Sequence, residues 1–297
     1  MKAKFGELCH GGVRQKRLSL LFLTRCPKVC VLLKSSDHAH VSNTPTDVNS
    51  MLYFFFSFCA INIILTIIMT IAIYSAKSAK KHKYTFIMLH PMCNTSSYFD
   101  DYIDYFKKYD SALTNSIKFV LPESLTMDID YPNNKQYNVK SWYNYYTCYN
   151  NVNKLDKINT QDFIDQTKKI ITIINEEASI LKSYKKLFII GVSQGGTLLF
   201  NILKFLPHTL GGLFCIKSLY MYKYINLNTH SAVPIFFYSG NKDEIYNLEF
   251  QQKCAKLLEH YYIIKWTIID NLDHHTKIEE EYDFIFRNFI ALIKIEK

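Results

Sequence analysis

A serine in a glycine-rich turn is the residue of this chain best suited to chemistry. The string Gly191-Val192-Ser193-Gln194-Gly195-Gly196 follows the apolar run 187–190 and precedes a helix-like run that ends before Pro207. A serine in such a strand-to-helix turn stands clear of the sheet, where its hydroxyl can attack a carbonyl carbon. The backbone N–H of Gln194 would then face the oxyanion that forms. The pattern predicts a nucleophile at Ser193; the alternative is a glycine-rich turn that carries an ordinary exposed serine.

A histidine must accept the proton of this serine, because a serine hydroxyl alone is a weak nucleophile. The histidines that follow Ser193 are His208, His230, His260, His274 and His275. His208 and His260 fall at predicted helix ends, which is typical of surface residues. His274 and His275 come just after the last predicted strand. We favour His274 as the base, and His275 stays open as the alternative.

A carboxylate must in turn orient the histidine ring. Asp243 directly follows the predicted strand 234–239, and the turn residues before it would hold its side chain over the sheet. Glu244 and Asp273 are the alternatives, although Asp273 is too close in sequence to His274 to orient the ring from behind. The favoured residues therefore occur in the order serine, acid, histidine.

Strand and helix patterns alternate from residue 84 onward and would position these side chains. The predicted strands are 84–89, 117–121, 186–190, 213–219, 234–239 and 262–269, and the predicted helices are 97–108, 160–184, 197–203, 247–260 and 277–295. Strands separated by helices predict an α/β protein with an open, mainly parallel sheet that helices cover on both faces. The active site of such a sheet lies beyond the carboxyl ends of the strands. His90, Ser193, Asp243 and His274 all follow strands at that edge.

One long stretch, residues 123–153, is rich in Tyr and Asn and lacks helical periodicity. We expect a loop there, called the lip below. A loop of this length inside a compact domain is typically a functional lip or lid.

The charge of +9 is confined to the N-terminal part of the chain. Residues 1–83 hold twelve of the 35 Lys and Arg but only three of the 26 Asp and Glu, so residues 84–297 carry no net charge. This distribution argues against a nucleic-acid-binding surface on the folded domain. The eight cysteines lack paired spacing, which favours a reducing compartment. With no P-loop, no G-x-G-x-x-G and no His/Cys cluster, we expect no metal and no cofactor.

An uncharged hydrophobic segment, residues 51–74, separates a basic extension from the predicted catalytic domain at 79–297. We expect residues 1–50 to be largely disordered. As a helix, 51–74 would cross a hydrocarbon core of ~30 Å, and the lysines at 77–83 would place the domain in the cytosol. The alternatives are a signal peptide if translation starts at Met51, an interfacial helix, or an edge strand at 70–75. The first of these implies the secretory pathway, and a cytosolic location is also open.

Several segments match a known family in order along the chain. They are FIMLHPMCNTS, IKFVLPES followed by Trp142-Tyr143, GVSQGG, FFYSGNKDEIYN and NLDHHT. Together they resemble the acyl-protein thioesterase and lysophospholipase group of carboxylesterases, over roughly residues 83–295. The resemblance implies an α/β-hydrolase fold and a triad of Ser193, Asp243 and His274. It also implies that the backbone N–H groups of Gln194 and Met92 form the oxyanion hole.

The departures from the family pattern are concentrated at residues 91–94, called the oxyanion loop below. Pro91 replaces the glycine after the family's histidine, and Cys93 and Asn94 stand where the family has Gly and Asp. Pro91 has no N–H, but Met92 can still donate. Cys93 in place of glycine predicts a different backbone path. Asn271 replaces the glycine before the base, which is tolerable because Asn accepts left-handed conformations.

The function favoured by these residues is a membrane-tethered serine hydrolase that cleaves acyl thioesters or esters, including palmitate on protein cysteines. The aromatic lip with Trp142 is expected to line the acyl channel and bind substrate. One alternative is a lysophospholipase or a broad carboxylesterase for small, including xenobiotic, esters. Another is a non-catalytic, membrane-anchored binding protein on the same fold, for which Pro91 and Cys93 are the support. The sequence leaves the oligomeric state open.

Overall fold

The fold is known from a computed structural model that describes residues 71–74, 82–131, 135–149, 154–225, 227 and 232–295. The strands are β1 Ile71–Tyr74, β2 Tyr84–Leu89, β3 Ile117–Pro122, β4 Leu125–Ile129, β5 Gln136–Ser141, β6 Leu187–Val192, β7 Gly212–Ile216, β8 Pro234–Gly240 and β9 Ile263–Ile269. The α-helices are α1 Asp100–Tyr109, α2 Ser111–Thr114, α3 Thr160–Leu181, α4 Gln194–Phe205, α5 Leu248–Lys256 and α6 Glu279–Ile295. Short 3₁₀ helices occupy Ser96–Phe99 and Tyr184–Lys186.

The main sheet has seven strands in the order β1-β3-β2-β6-β7-β8-β9. Strand β1 runs antiparallel to β3, and all other neighbours are parallel. The central strand β6 is buried at every residue, as a parallel strand covered on both faces requires. The predicted open, mainly parallel sheet is therefore confirmed.

Two hydrophobic layers lie on opposite faces of this sheet. Because successive strand residues point to opposite faces, Leu187 and Ile189 of β6 join the layer that contains α3, α4 and α5. Phe188 and Ile190 join the layer that contains α1 and α6. This arrangement holds the carboxyl end of β6 rigidly between its neighbours, which is where Ser193 lies.

Strand β1 corrects the end of the predicted membrane helix. Ile71 pairs with Pro122 and Tyr74 with Phe119, so the last four residues of the segment 51–74 lie in the sheet, as the edge-strand alternative for 70–75 predicted. Residues 1–70 lie outside the described residues, and the predictions of disorder and of a membrane segment there are not tested by the structure. Within the described ranges, no helix is both long enough and apolar enough to cross a membrane.

The lip contains a hairpin that the sequence analysis missed. Strands β4 and β5 pair antiparallel in a separate two-stranded sheet, with an irregular register between Met127 and Ile129. Most residues of both strands are exposed or half-buried, so the segment lacks the apolar run by which a strand is normally detected. After β5 the chain turns into the core, where Trp142, Tyr143 and Tyr145 are buried.

Residues at its two ends set the limits of helix α3, which precedes strand β6 in the chain. The side chain of Asn159 accepts the N–H groups of Gln161 and Asp162, which caps the first turn of α3. The helix ends at Lys182, whose φ of 53° is left-handed. The sequence favours Thr160 as the cap, which is one residue too late because Asn159 takes that place, and the predicted end at 184 is three residues too late.

Candidate active site

Ser193 occupies a strained turn between β6 and α4. Its φ of 52° and ψ of −120° are rare for a residue with a side chain. The turn is fixed on the neighbouring strand, since the Ser193 N–H donates to the carbonyl of Ile216 at 2.9 Å. The hydroxyl of Ser218 donates to the Ser193 carbonyl at 2.7 Å. These bonds hold the serine at the sheet edge.

The glycines beside Ser193 are required by close backbone contacts. A Cβ on Gly191 would lie 2.6 Å from the Gly195 carbonyl oxygen, and a Cβ on Gly195 would lie 2.3 Å from the Leu89 carbonyl oxygen. Both contacts are with backbone, which cannot move aside cheaply. The G-x-S-x-G spacing is thus a packing requirement of this turn against β2 and α4.

The structure brings Ser193, His274 and Asp243 into one hydrogen-bonded chain. The Ser193 Oγ lies 2.9 Å from His274 Nε2, and His274 Nδ1 lies 2.9 Å from Asp243 Oδ2 and 3.0 Å from Oδ1. The Asp243 side chain is fully buried and the His274 side chain is 7% exposed. The three residues come from the carboxyl ends of β6 and β8 and from the loop after β9.

The hydrogen bonds of Asp243 determine the tautomer of His274. Asp243 Oδ1 accepts the N–H groups of Ile245 at 2.9 Å and Tyr246 at 2.7 Å. Because a carboxylate facing Nδ1 can only accept, the ring proton lies on Nδ1. Nε2 is then free of a proton and can accept the one on the Ser193 hydroxyl. The arrangement can thus generate a serine alkoxide.

The alternative residues lie beside this chain but outside it. His275 is 40% exposed, and its ring faces Glu244 at 3.5 Å; burial and the neighbouring His274 lower its pKa. Glu244 also accepts the His274 backbone N–H at 3.3 Å. Asp273 accepts the N–H groups of His275 and Thr276 and so closes the turn of its own loop.

Two other histidines after Ser193, His208 and His260, lie at the surface outside this hydrogen-bonded chain. His208 stacks on Tyr184 at the surface, and His260 is exposed. His230 lies outside the described residues.

The oxyanion loop is a tight turn in which Cys93 has a left-handed backbone conformation. The Asn94 N–H donates to the Pro91 carbonyl at 3.2 Å, and Cys93 at the third position has a φ of 64°. A type II turn needs this left-handed backbone at its third position and normally places Gly or Asn there. Cys93 therefore adopts the conformation that a glycine would, at a cost of about 1–2 kcal/mol in strain. Asn271 is also left-handed, at 59°, as its residue type allows.

The two predicted oxyanion donors, the backbone N–H groups of Gln194 and Met92, lie on the segments that follow β6 and β2. Gln194 is the first residue of α4, so its N–H has no acceptor inside the helix. Met92 is the second residue of the oxyanion turn, on the segment after β2 that packs against Gly195. The assignment of these donors remains a prediction.

His90 connects the oxyanion loop to the lip. Its Nδ1–H donates to the Pro91 carbonyl at 2.9 Å, and its Nε2 accepts the Ser124 N–H at 3.1 Å. The ring is fully buried, and this burial lowers the pKa of His90 to about 4. His90 is therefore neutral near pH 7, with one nitrogen for each partner.

Trp142 packs against His90 and does not line an open channel. Its ring has no exposed surface, lies 5.0 Å from the His90 ring and donates its Nε1–H to the His90 carbonyl at 2.8 Å. The sequence predicts that Trp142 contacts substrate. A fully buried side chain cannot do so in this conformation, and we assign it to positioning the oxyanion loop.

The side chain of Gln194 makes contacts with the lip that the sequence did not predict. Its Oε1 accepts the Trp142 backbone N–H at 2.9 Å, and its Nε2 donates to the Tyr143 carbonyl at 2.9 Å and to Ser141 Oγ at 3.0 Å. The signal for these contacts in the sequence is a polar residue at the start of a mostly apolar helix. The Gln194 side chain thereby holds residues 141–143 of the lip beside the turn that carries Ser193.

No metal centre is evident within the described ranges: no three His, Cys, Asp or Glu side chains are grouped to hold an ion.

The sheet order and the serine turn after β6 define an α/β-hydrolase fold. The model of the Phospholipase/Carboxylesterase family matches residues 72–293, and the chain belongs to this family. Acyl-protein thioesterase 1 of Kluyveromyces lactis is 23% identical over 222 residues, which cover 72% of this chain and 94% of that protein.

Solved structures show the same fold at low sequence identity. Acyl-protein thioesterase 2 of Zea mays superposes with a TM-score of 0.60 at 14% identity, covering 75% of this chain and 98% of that one. A Bacillus cereus carboxylesterase gives a TM-score of 0.57 at 14% identity, with 75% and 93% coverage.

Proposed function

We propose that this protein is a serine hydrolase that cleaves acyl thioesters or esters through an acyl-enzyme. Ser193 is the nucleophile, His274 the general base and Asp243 the acid that orients the base. The observation that carries the proposal is the continuous contact Ser193 Oγ–His274 Nε2–Asp243, with both links at 2.9 Å. Two such contacts among buried residues from separate loops are the geometry that nucleophilic catalysis requires.

The first half-reaction acylates Ser193. The Ser193 oxygen attacks the carbonyl carbon of the substrate while its proton moves to His274 Nε2. The negative charge on the carbonyl oxygen is stabilised by the N–H groups of Gln194 and Met92. His274 then gives the proton to the leaving thiol or alcohol, and the acyl group stays on Ser193.

The second half-reaction releases the acid. Water takes the place of the leaving group, His274 Nε2 removes one of its protons, and the hydroxide attacks the acyl carbonyl. Collapse of the second tetrahedral intermediate breaks the bond to Ser193, whose oxygen takes the proton back from His274. Asp243 stays ionised throughout and stabilises the imidazolium.

A binding protein without activity is the less economical account of the same residues. Its support is the pair of substitutions Pro91 and Cys93 in the oxyanion loop. Cys93 takes the left-handed φ of 64° that this turn needs. His90 donates to the Pro91 carbonyl of the loop, and Trp142 donates to the His90 carbonyl. A binding protein would need neither the contact between Ser193 and His274 nor the fixed loop.

Thioesters are the favoured substrates because named relatives are acyl-protein thioesterases. Hydrolysis rates on thioester and oxyester pairs with the same acyl chain test this, with Ser193→Ala as the control. We expect faster turnover of the thioester at each chain length and no turnover by the variant. A sharp preference for short oxyesters would instead indicate a carboxylesterase.

Membrane attachment through the segment 51–70 is a further part of the proposal. These residues are uncharged and precede a lysine cluster at 77–83; as a helix they would span ~30 Å. With 71–74 in the sheet, the proposed span is shorter by four residues. Carbonate extraction of the full chain and of a variant lacking 51–70 tests it. Release of the full chain by carbonate would contradict an embedded segment.

A further inference from the structure

A lysine with no solvent exposure lies directly behind the active site. Lys217 follows strand β7 with a φ of 44° and is fully buried. Lysine is among the residues least often buried, and the left-handed backbone is strained for any residue with a side chain. Both features call for a specific contact at this position.

The ammonium of Lys217 contacts the loop that carries His274. Its Nζ donates to the Thr276 carbonyl at 2.7 Å and lies 2.9 Å from Glu281 Oε2, as an ion pair between two fully buried side chains. The other oxygen of Glu281 accepts the Tyr102 hydroxyl. Glu281 thus balances the charge and is itself hydrogen-bonded by Tyr102. The hydrogen bond of the ammonium goes to a residue two positions after His274.

The neighbours of Lys217 in sequence contact the nucleophile. The Ile216 carbonyl accepts the Ser193 N–H at 2.9 Å, and Ser218 donates to the Ser193 carbonyl at 2.7 Å. The three residues 216–218 therefore join the serine turn on one side to the histidine loop on the other. The contact from Lys217 thus ties the backbone of the histidine loop to the residues that hold the Ser193 backbone.

Other polar contacts of this loop reach the turn after β8, as the Lys242 N–H does by donating to the Leu272 carbonyl at 3.0 Å, and not the residues that hold Ser193. Asp273 bonds only within its own turn. The Glu244 bond to the His274 N–H is longer, at 3.3 Å, and Glu244 is 49% exposed. Exposed polar contacts compete with water. The Lys217 ammonium is fully buried, so water does not compete for its hydrogen bond to Thr276.

Stability alone does not account for a lysine here. Removing two charges from water costs more than their attraction returns unless the geometry is excellent, so apolar residues of similar volume are often equally stable. A methionine at 217 paired with a neutral residue at 281 would fill the space. It would not hold the Thr276 carbonyl.

We propose that Lys217 is a positioning residue that sets the distance between His274 and Ser193 by holding the Thr276 carbonyl. This role rests on the proposed serine mechanism. It predicts that loss of the ammonium lowers the rate of proton transfer at Ser193 without changing the surface that binds substrate. A displacement of the reacting groups by about 1 Å costs up to about 100-fold in rate.

The test separates the charge from the contact. Lys217→Met leaves Glu281 buried without its partner and is expected to lower the melting temperature strongly. Lys217→Met with Glu281→Gln removes both charges, keeps an oxygen for Tyr102 and deletes the bond to Thr276. The full-length double variant is expected to recover the melting temperature, while kcat on 4-nitrophenyl acetate stays about 10- to 100-fold lower with KM unchanged.

The matched control is a second lysine–glutamate pair, partly buried and away from the site. Lys118 at the amino end of β3 lies 2.5 Å from Glu177 of α3. Lys118→Met with Glu177→Gln is expected to alter the melting temperature with kcat unchanged.

Wild-type kcat in the Lys217/Glu281 double variant, or a change confined to KM, would overturn the positioning role. Ser193→Ala is measured in parallel. Activity in that variant would refute the serine mechanism itself, so the two failures are distinguishable.

Discussion

The exchange Asp243→Asn isolates the orienting acid with almost no change in shape. Asp243 Oδ1 accepts two backbone N–H groups, from Ile245 and Tyr246. The asparagine oxygen must take this place, because the reverse orientation would set its NH₂ group against two donors. Each buried N–H left without an acceptor costs about 1–3 kcal/mol, so the reverse orientation is disfavoured by about 2–6 kcal/mol.

The asparagine NH₂ group then occupies the position of Oδ2, which lies 2.9 Å from His274 Nδ1. Two donors cannot face each other, and the remaining oxygen, 3.0 Å from Nδ1, already accepts two backbone N–H groups. The ring proton is therefore expected to move from Nδ1 to Nε2. Nε2 can then no longer accept the proton of Ser193. The loss measured for this change in serine triads is about 10⁴-fold in kcat, or about 5.4 kcal/mol at 1.36 kcal/mol per factor of ten.

The assay is the steady-state rate of ester hydrolysis by Asp243→Asn, with circular dichroism to show that the variant is folded. Asp273→Asn is the matched control, because Asp273 accepts only backbone N–H groups of its own turn and an amide oxygen can do the same. We expect near wild-type kcat for the control. A folded Asp243→Asn enzyme with kcat within tenfold of wild type would refute the reasoning.

Three further predictions concern the groups that brace the site. Since the pKa of His90 is lowered to about 4 from an ordinary 6.5, the unfolded state binds more protons between these values. The free energy of unfolding should then fall on acidification from pH 6.5 to 4, by up to about 1.4 kcal/mol per pH unit. Urea titrations should show a shallower dependence in His90→Asn, and equal slopes would contradict the argument. Gly195→Ala places a Cβ 2.3 Å from the Leu89 carbonyl oxygen and should cost about 100-fold or more in kcat/KM; normal kinetics would contradict the packing argument. Trp142→Phe removes the bond to the His90 carbonyl and should cost about 1–3 kcal/mol in urea unfolding; an unchanged midpoint would contradict it.

The parallel core of the fold could be predicted because its strands are buried on both faces. Strand β2 was predicted at the residues that it occupies, and β6 and β8 differ from the prediction by one or two residues. The lip hairpin could not be found in this way, since β4 and β5 expose most of their residues. Strand β1 could not be identified with certainty, because its apolar sequence is equally typical of the end of a membrane helix.

The triad residues could be predicted from their order and from their places after strands. What the sequence could not provide is the set of polar side chains that brace them. Gln194 and Lys217 act through buried contacts with segments distant in sequence, and no local pattern encodes such contacts. The burial of Trp142 was missed for the same reason: an aromatic residue in a predicted loop gives no sign of which way it packs.

The central claim is that Ser193 attacks the carbonyl with the help of His274. The most direct measurement is covalent labelling of the full-length protein by a fluorophosphonate, followed by mass spectrometry of the labelled peptide. We predict one adduct, on Ser193, with labelling abolished in Ser193→Ala and strongly slowed in His274→Ala. Equal labelling of wild type and Ser193→Ala would contradict the account.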